Sequence, residues 1–544
     1  MPARTRLAGA AHSDVVAIFG PALLALVLSL IGITGRSLGF DEGATWAIAS
    51  QHLPGHGLGA GIAHDGGNML GFYALEHLLI AAFGDSLFVL RLPAVLSAPV
   101  TAGFVAAIGL RLFERRVAVL GAVLTAVTLS VVYWQQTARG YAPMLAFTCA
   151  GMLCFVLLAN GVGPSPDGQP APRRWPGARW SWPAGRWWPV AGYSAAMALA
   201  IYCSFVAVLV IPAQVVALVW RRSAWRRFLV ALVGLAVCAV PLAVLARRRG
   251  SGQLFWVPRP DHQVEKQVLE SLTGSGLQSV FHPTFLATPG YWLTIAAVAA
   301  VLVTALIARS RAAAQPSDAP LAGWGALLVL AWAIVPPVLV FGYSFASQPL
   351  FQPRNLLTSV PGVAFVLALG ICDRRLPRRA AGAALVVALG IRLVPLATSY
   401  DVSPEPWDAA THAVLSSARP GDCVLFYPED GHNPFQYYEH NARPAGASLP
   451  RSVLPSSGWP EIRSYVERYE TLTPTQQTAL AARCRRLWLV SSHEGQSNGP
   501  PQSRRNLRTF NRFRGELERV FGHGPVKTYG YASAIHVRLL PGRG

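Results

Sequence analysis

The chain has 544 residues, 52% of them hydrophobic and only 13% charged, with 46 Lys+Arg against 26 Asp+Glu for a formal net charge of +20. A soluble chain carries about 25% charged residues, so one this apolar cannot solvate its own surface and must lie largely in a membrane. The basic excess is nearly all arginine, set in short clusters between apolar runs, which speaks for topology signals and against a nucleic-acid groove; the seven cysteines show no CxxC or Cys/His spacing, which speaks against structural zinc.

Apolar runs near the length that crosses a bilayer, about 20 residues, recur from Val15 to Thr398 and then stop. Eleven are expected: 15-34, 88-110, 117-134, 141-159, 189-203, 205-220, 228-246, 290-308, 323-342, 355-372 and 380-398. The pair on either side of Ser204 is short, and merging it would invert everything downstream. With a cytoplasmic N-terminus, the inner connections hold 19 basic residues against five acids, and the outer ones nine against eight. That asymmetry satisfies the positive-inside rule for eleven crossings. Arg247-Arg248-Arg249 falls on the outer side, either as a topology error or as a site for an anionic ligand. The first run is too long for a cleaved signal sequence and reads as an uncleaved anchor.

The expected architecture is an α-helical polytopic membrane domain over 1-398, followed by an α/β domain over 399-544. The membrane domain has a first outer loop at 35-87, a cytoplasmic linker at 160-188 and a further outer loop at 247-289. The C-terminal region shows β-like runs at Cys423-Tyr427, Leu487-Ser491, Val526-Tyr531 and Ile535-Leu539. Helical stretches near 406-418, 459-483 and 503-520 separate them. An odd number of crossings puts this domain on the exoplasmic side. Cys423 and Cys484 flank two of its strands and are the candidates for a disulfide, which spacing alone leaves open.

Three polar concentrations fall on the outer face. The first outer loop opens on Phe40-Asp41-Glu42 and continues through His64, Asp65, Asn68, Tyr73, Glu76 and His77. Adjacent carboxylates there fit an active-site floor, and an ordinary solvated loop fits equally well from position alone. The second, Tyr133 to Tyr141 with Gln136 and Arg139, reads either as an aromatic belt with a snorkelling arginine or as a phosphate site. The third is Gln352-Pro353-Arg354-Asn355, where charge at the membrane edge is a functional candidate by default. One acidic loop facing basic ones is the division an enzyme needs to deprotonate an acceptor while stabilising a phosphate leaving group.

At these residues the sequence resembles the GT-C superfamily of polyprenyl-phosphate-sugar-dependent membrane glycosyltransferases, in the bacterial branch of protein O-mannosyltransferases and the lipid A aminoarabinose transferase. The matching pieces are Phe40-Asp41-Glu42, Asp65 with Tyr73, Phe83-Gly84-Asp85-Ser86 leading to Leu90-Arg91-Leu92-Pro93, Tyr133 to Tyr141, Gln253 with Trp256, and Pro353-Arg354-Asn355-Leu356-Leu357 before Pro361-Gly362. The resemblance implies Asp41 as catalytic base with Glu42 in support, and Arg139, Arg354, Arg247 and Arg248 on the donor phosphate. His64, Asp65, Tyr73, Gln136, Tyr141, Gln253 and Trp256 would line the substrate site. It implies inverting transfer from a polyprenyl-phosphate sugar to a glycan, lipid or protein hydroxyl, among membrane lipids and without nucleic acid. No cofactor is certain, and a divalent cation is left open. Many relatives have an acid where this chain has Thr137, and a Pro-Pro pair where it has Asn68-Met69. Arginine-heavy, lysine-poor usage points to a high-GC source such as an actinobacterium, where mannose or arabinose donors would be natural.

Two other classes compete. A flippase for a lipid-linked sugar needs charge near mid-membrane and often internal repeats. A non-catalytic cell-wall carbohydrate-binding protein would use aromatics such as Tyr437, Tyr438 and Trp459, which in a small domain are more often core.

Overall fold

The structure, a computed structural model, describes residues 2-50, 66-160, 187-219, 221-249, 257-282, 320-347, 349-454, 469-531 and 533-542, with a few isolated positions between, and side chains from residue 14. Helices dominate up to residue 399. They are α1 (Pro2–Leu30), α2 (Phe40–Ala49), α3 (Leu70–Phe83), α4 (Leu87–Leu112), α5 (Arg115–Ala126), α6 (Leu129–Gln135), α7 (Tyr141–Asn160), α8 (Trp188–Cys203), α9 (Ile211–Leu218), α10 (Trp225–Arg249), α11 (His262–Thr273), α12 (Pro320–Ala346), α13 (Val360–Ile371) and α14 (Arg378–Ser399). Ten of the eleven expected apolar segments fall on helix, and the eighth, 290-308, lies outside the described residues, as does most of the 160-188 linker.

Length separates these helices into two kinds. Among the described residues six helices are long and apolar enough to cross a membrane, and a seventh span forms if α5 and α6, bent by 61°, count as one. The bend follows Thr125 and Thr128, whose hydroxyls donate to the carbonyls of Gly121 and Leu124 and compete with the helix ladder. Around Ser204 the chain does break: α8 ends at Cys203, and a short 3-10 turn, Phe205–Val210, leads into α9. Neither piece reaches the roughly 17 residues of an ordinary span, so each is shorter than the other apolar helices that could cross a membrane. The core between the helices is mainly apolar, with Trp332, Phe72, Phe155, Phe228 and Phe365 excluded from solvent.

The C-terminal domain is α/β, as expected. Its elements are α15 (Trp407–Ser417), β1 (Cys423–Tyr427), α16 (His432–Asn441), β2 (Arg451–Leu454), α17 (Pro474–Ala481), β3 (Leu487–Ser491), α18 (Pro501–Phe521), β4 (Val526–Tyr529) and β5 (Ile535–Leu540). The sheet runs β2-β1-β3-β5-β4, parallel across β2, β1 and β3 and antiparallel at β5 and β4. β1 and β3 are buried on both faces and read as continuous apolar runs for that reason. Phe510, Phe513, Leu517 and Phe521 of α18 cover one face, over Leu425, Tyr427, Leu487 and Leu489. Trp407, Val414 and Phe435 cover the other, over Val424, Phe426, Trp488 and Val490. Cys423 and Cys484 form a disulfide across a separation of 61 residues.

The two parts meet at α2. Gly43 lies so close to α16 that a Cβ there would stand 2.8 Å from the Pro434 ring, so glycine is required for the approach. Trp46 packs edge-on against Tyr437, and Leu38, Leu90 and Ala138 complete that contact.

Candidate active site

Three carboxylates gather at the first turn of α2, where unpaired backbone N–H groups and the helix dipole favour negative charge. Glu42 reaches back to accept from the N–H of Gly39 at 3.0 Å, the return half of a capping box. Glu405, from the segment that precedes α15, accepts from the N–H of Phe40 at 2.5 Å. Asp41, between Phe40 and Glu42, turns toward Arg139 and Arg354.

Glu42 is fully engaged. Arg91 Nε and Nη2 donate to its two oxygens at 2.9 and 2.7 Å, and the Ala138 N–H donates to Oε1 at 2.7 Å. The remaining Arg91 donors go to the carbonyls of Ile33, Arg36 and Ser37, at 2.6 to 3.0 Å. Burial works to raise the Glu42 carboxyl, and the Arg91 pair with these N–H donors outweighs it, so Glu42 stays ionised below the usual range. Its place is structural: it ties the start of α2 to the 136-140 loop that carries Arg139.

Asp41 differs. Its Oδ2 lies 3.0 Å from Arg354 Nη1 and 4.0 Å from Arg139 Nε, and 42% of its side chain is exposed. Burial pulls its carboxyl upward, but Arg139, Arg354 and His493 hold it below the ordinary aspartate range. Arg139 Nη1 donates to the Tyr73 hydroxyl at 3.1 Å and approaches the Asp41 carbonyl and Thr45 hydroxyl at 3.4 Å. The Arg354 guanidinium stands 5.9 Å over the Tyr141 ring. Two guanidinium groups from separate loops, α2 and Tyr73 thus converge on one carboxylate. Such forked donors suit a phosphate.

The remaining expected residues divide. Tyr73 and Tyr141 join the cluster. Gln136 does not face it: its carbonyl accepts from Arg36, and its NH2 donates to the carbonyls of Leu28, Ser29 and Ile31, capping the end of α1. The Thr137 hydroxyl returns to the Tyr133 carbonyl at 2.7 Å. Arg247 and Arg248 are exposed at the end of α10, and no hydrogen bond or ion pair among the described residues joins them to Asp41. His64, Asp65, Gln253 and Trp256 lie outside the described residues. Glu76 is fully buried one turn beyond Tyr73, and burial, with Glu42 adding to it, pushes its carboxyl well above the usual range. Among the described residues no group of three or more His, Cys, Asp or Glu is arranged to hold a metal ion.

The sequence pattern missed two residues altogether. Burial, with Asp41 and Glu42 close by, pushes the Glu405 carboxyl up to about 7, against the pull of the Phe40 N–H. Its Oε1 lies 3.9 Å from His493 Nε2, and the His493 ring packs on Phe40 at 4.5 Å between centroids. Both belong to the C-terminal domain, which therefore closes over the first turn of α2.

This arrangement of long apolar helices followed by a small α/β domain is the fold seen in the solved structures of ArnT. Residues 69–162 match the family described as dolichyl-phosphate-mannose-protein mannosyltransferase. Over 95% of its length the chain is similar to ArnT from Cupriavidus metallidurans bound to undecaprenyl phosphate, with 14% identity and a TM-score of 0.55, and it covers 97% of that chain. The apo form of the same ArnT gives 15% identity and 0.54 over 95% of this chain and 97% of that one. AglB, an archaeal oligosaccharyltransferase from Archaeoglobus fulgidus in complex with an inhibitory peptide and a dolichol-phosphate, matches at 12% identity and 0.50 over 96% of this chain and 74% of that one. No curated protein matches the chain in sequence.

Proposed function

We propose that the protein is an inverting glycosyltransferase that moves a sugar, mannose or arabinose, from a polyprenyl-phosphate donor to an acceptor hydroxyl at the outer face of the cytoplasmic membrane. The observation that carries this is Asp41, solvent-accessible and held between Arg139 and Arg354 at the seam of the two domains. In the step envisaged, the acceptor oxygen attacks the anomeric carbon, the bond from that carbon to phosphate oxygen breaks with its electron pair, and Asp41 takes the hydroxyl proton. Arg139 and Arg354 stabilise the departing phosphate. A carboxylate held this low is a weak base, and the donor corrects that. An anionic phosphate that draws on the same two guanidinium groups raises the Asp41 carboxyl, so the base strengthens only when a donor is bound. Glu42 and Arg91 position this turn without touching substrate.

The lipid-phosphate donor is supported by the polyprenyl phosphates named in the ArnT and AglB structures, and mannose by the family matched over 69–162. An outer location for residues 399-544, with 1-398 as the membrane domain, is supported by the arginine asymmetry and by the Cys423–Cys484 disulfide, a bond that persists in oxidising compartments. The acceptor is a glycan, lipid or protein hydroxyl.

The test is transfer by purified protein from a panel of polyprenyl-phosphate sugars, wild type against Asp41→Asn. Loss of transfer is expected, and full transfer by the variant would remove Asp41 from the chemistry. Movement of a lipid-linked sugar across vesicles without transfer would favour a flippase. A reporter fused after residue 400 is expected to read exoplasmic.

A further inference from the structure

We propose that Glu405 and His493 are positioning residues for Asp41: supplied by the C-terminal domain, they set the charge at the first turn of α2 and hence the strength of the base. The inference rests on the assignment of Asp41 as base. Its geometry is independent of that assignment. Glu405 Oε2 fixes the Phe40 N–H, the backbone donor immediately before Asp41, and Oε1 faces His493 Nε2 at 3.9 Å. The His493 ring rests on the Phe40 ring, and its Nδ1 lies 2.9 Å from the Ser492 hydroxyl. His493 holds φ +53°, a left-handed conformation that costs a non-glycine residue free energy and collects at functional sites. The Tyr469 hydroxyl, donating to the His493 carbonyl at 3.2 Å, holds it there.

The charged and titratable groups around Glu405 are Asp41 and Glu42 on α2, His493 after β3 and Tyr133 on α6, with Arg139 and Arg354 beyond Asp41. Ionised Glu405 grips the Phe40 N–H with a charge-assisted bond and places a negative charge beside Asp41, which raises the affinity of Asp41 for a proton. Protonated Glu405 does neither. The coupling is mutual: once Asp41 takes the acceptor's proton, Glu405 loses a like-charged neighbour and its own negative charge is favoured further.

Because burial and the two carboxylates place Glu405 at about 7, the rate of transfer is expected to rise with pH through a limb near that value. The experiment is the pH-rate profile of transfer, from pH 5.5 to 8.5, for wild type, Glu405→Gln and His493→Gln. Glu405→Gln is expected to erase the limb and lower kcat at pH 8 about tenfold, to the level wild type has well below the limb, with donor KM within about twofold. His493→Gln, which leaves the Phe40 hydrogen bond in place, is expected to keep the limb but displace it. A limb near 7 that persists in Glu405→Gln, or profiles that coincide with wild type in both variants, overturns the inference. If wild type transfers from no donor, the proposed activity itself fails; wild-type transfer with an unmoved limb fails this inference alone.

Discussion

On the inner side of α2, Glu42 spends both oxygens on Arg91 and two backbone N–H groups in a pocket where Arg91 is only 2% exposed. On the outer side, one residue earlier, Asp41, with 42% of its side chain exposed, faces Arg354 at 22% and the more buried Arg139. The same chemical group thus does opposite work at neighbouring positions. A buried carboxylate with every lone pair committed is a joint between elements. A solvent-accessible carboxylate held by charges that a ligand can claim is, under the proposed function, the reactive group. The difference comes from what surrounds each residue, and it predicts that damage on one side appears as lost stability and on the other as lost turnover.

The largest effect belongs to Asp41→Asn, which is expected to reduce transfer by about 10²- to 10⁴-fold, the range for a general base. Its stability cost is expected to stay within about 1 kcal/mol, since the ion pairs it gives up are partly exposed and screened. Binding of undecaprenyl phosphate should tighten at the same time, because the two guanidinium groups lose a competitor. A thermal melt and lipid-phosphate titration on the same preparation check both; a variant that unfolds would erase the contrast with Glu42.

Next is Arg91→Met, which leaves Glu42 ionised and buried without its partner. The expected cost is about 3–5 kcal/mol of stability, read as a lowered Tm in detergent. Any rate that remains should retain the wild-type donor KM. A melting temperature equal to wild type would mean that Glu42 is not the joint between α2 and the 136-140 loop.

Arg354→Gln sharpens the outer side. Removing one forked donor is expected to weaken donor binding about 10- to 100-fold, with the larger share in KM. Arg139→Gln should cost more in kcat than Arg354→Gln, because Arg139 also holds Tyr73 and approaches the Asp41 carbonyl. Equal kinetic profiles for the two variants would place both on the phosphate alone.

Much of this contrast was legible before the fold, and the missing part has a physical cause. The apolar segments announce themselves by length, and Phe40-Asp41-Glu42, Arg139 and Arg354 by charge at the membrane edge, where it is costly. The two roles within Asp41-Glu42 were not legible, since they depend on Arg91, which in the sequence is one arginine at the start of an apolar helix. Glu405 and His493 lie 364 and 452 positions beyond Asp41 in a domain without a motif, so only docking brings them together. β2 and α16 escaped for local reasons: β2 is a four-residue edge strand with exposed Arg451 and Ser452, and α16 opens on His-Asn-Pro and has little apolar periodicity. Gln136 drew attention by its polarity, which serves the carbonyls at the end of α1.

The smallest effect tests whether the C-terminal domain takes part in the comparison or merely covers it. The Tyr438 hydroxyl accepts from the Leu38 N–H at 2.6 Å and pairs with the Ser37 hydroxyl at 3.0 Å, two residues before the turn that carries Asp41. Tyr438→Phe keeps the ring that packs on Tyr437 and deletes those two bonds. Leaving the Leu38 N–H without its acceptor is expected to cost about 1–2 kcal/mol. Because Arg91 still clamps the Ile33, Arg36 and Ser37 carbonyls, the inner side should hold, and the cost should fall on the contact between domains. Hydrogen exchange is the discriminating measurement: protection is expected to fall at Leu38 to Phe40 and in α16 while the helices around Arg91 keep theirs. A uniform loss of protection would mean that the two sides of α2 are one cooperative unit, and the contrast between Asp41 and Glu42 would then be a matter of exposure and not of separate function.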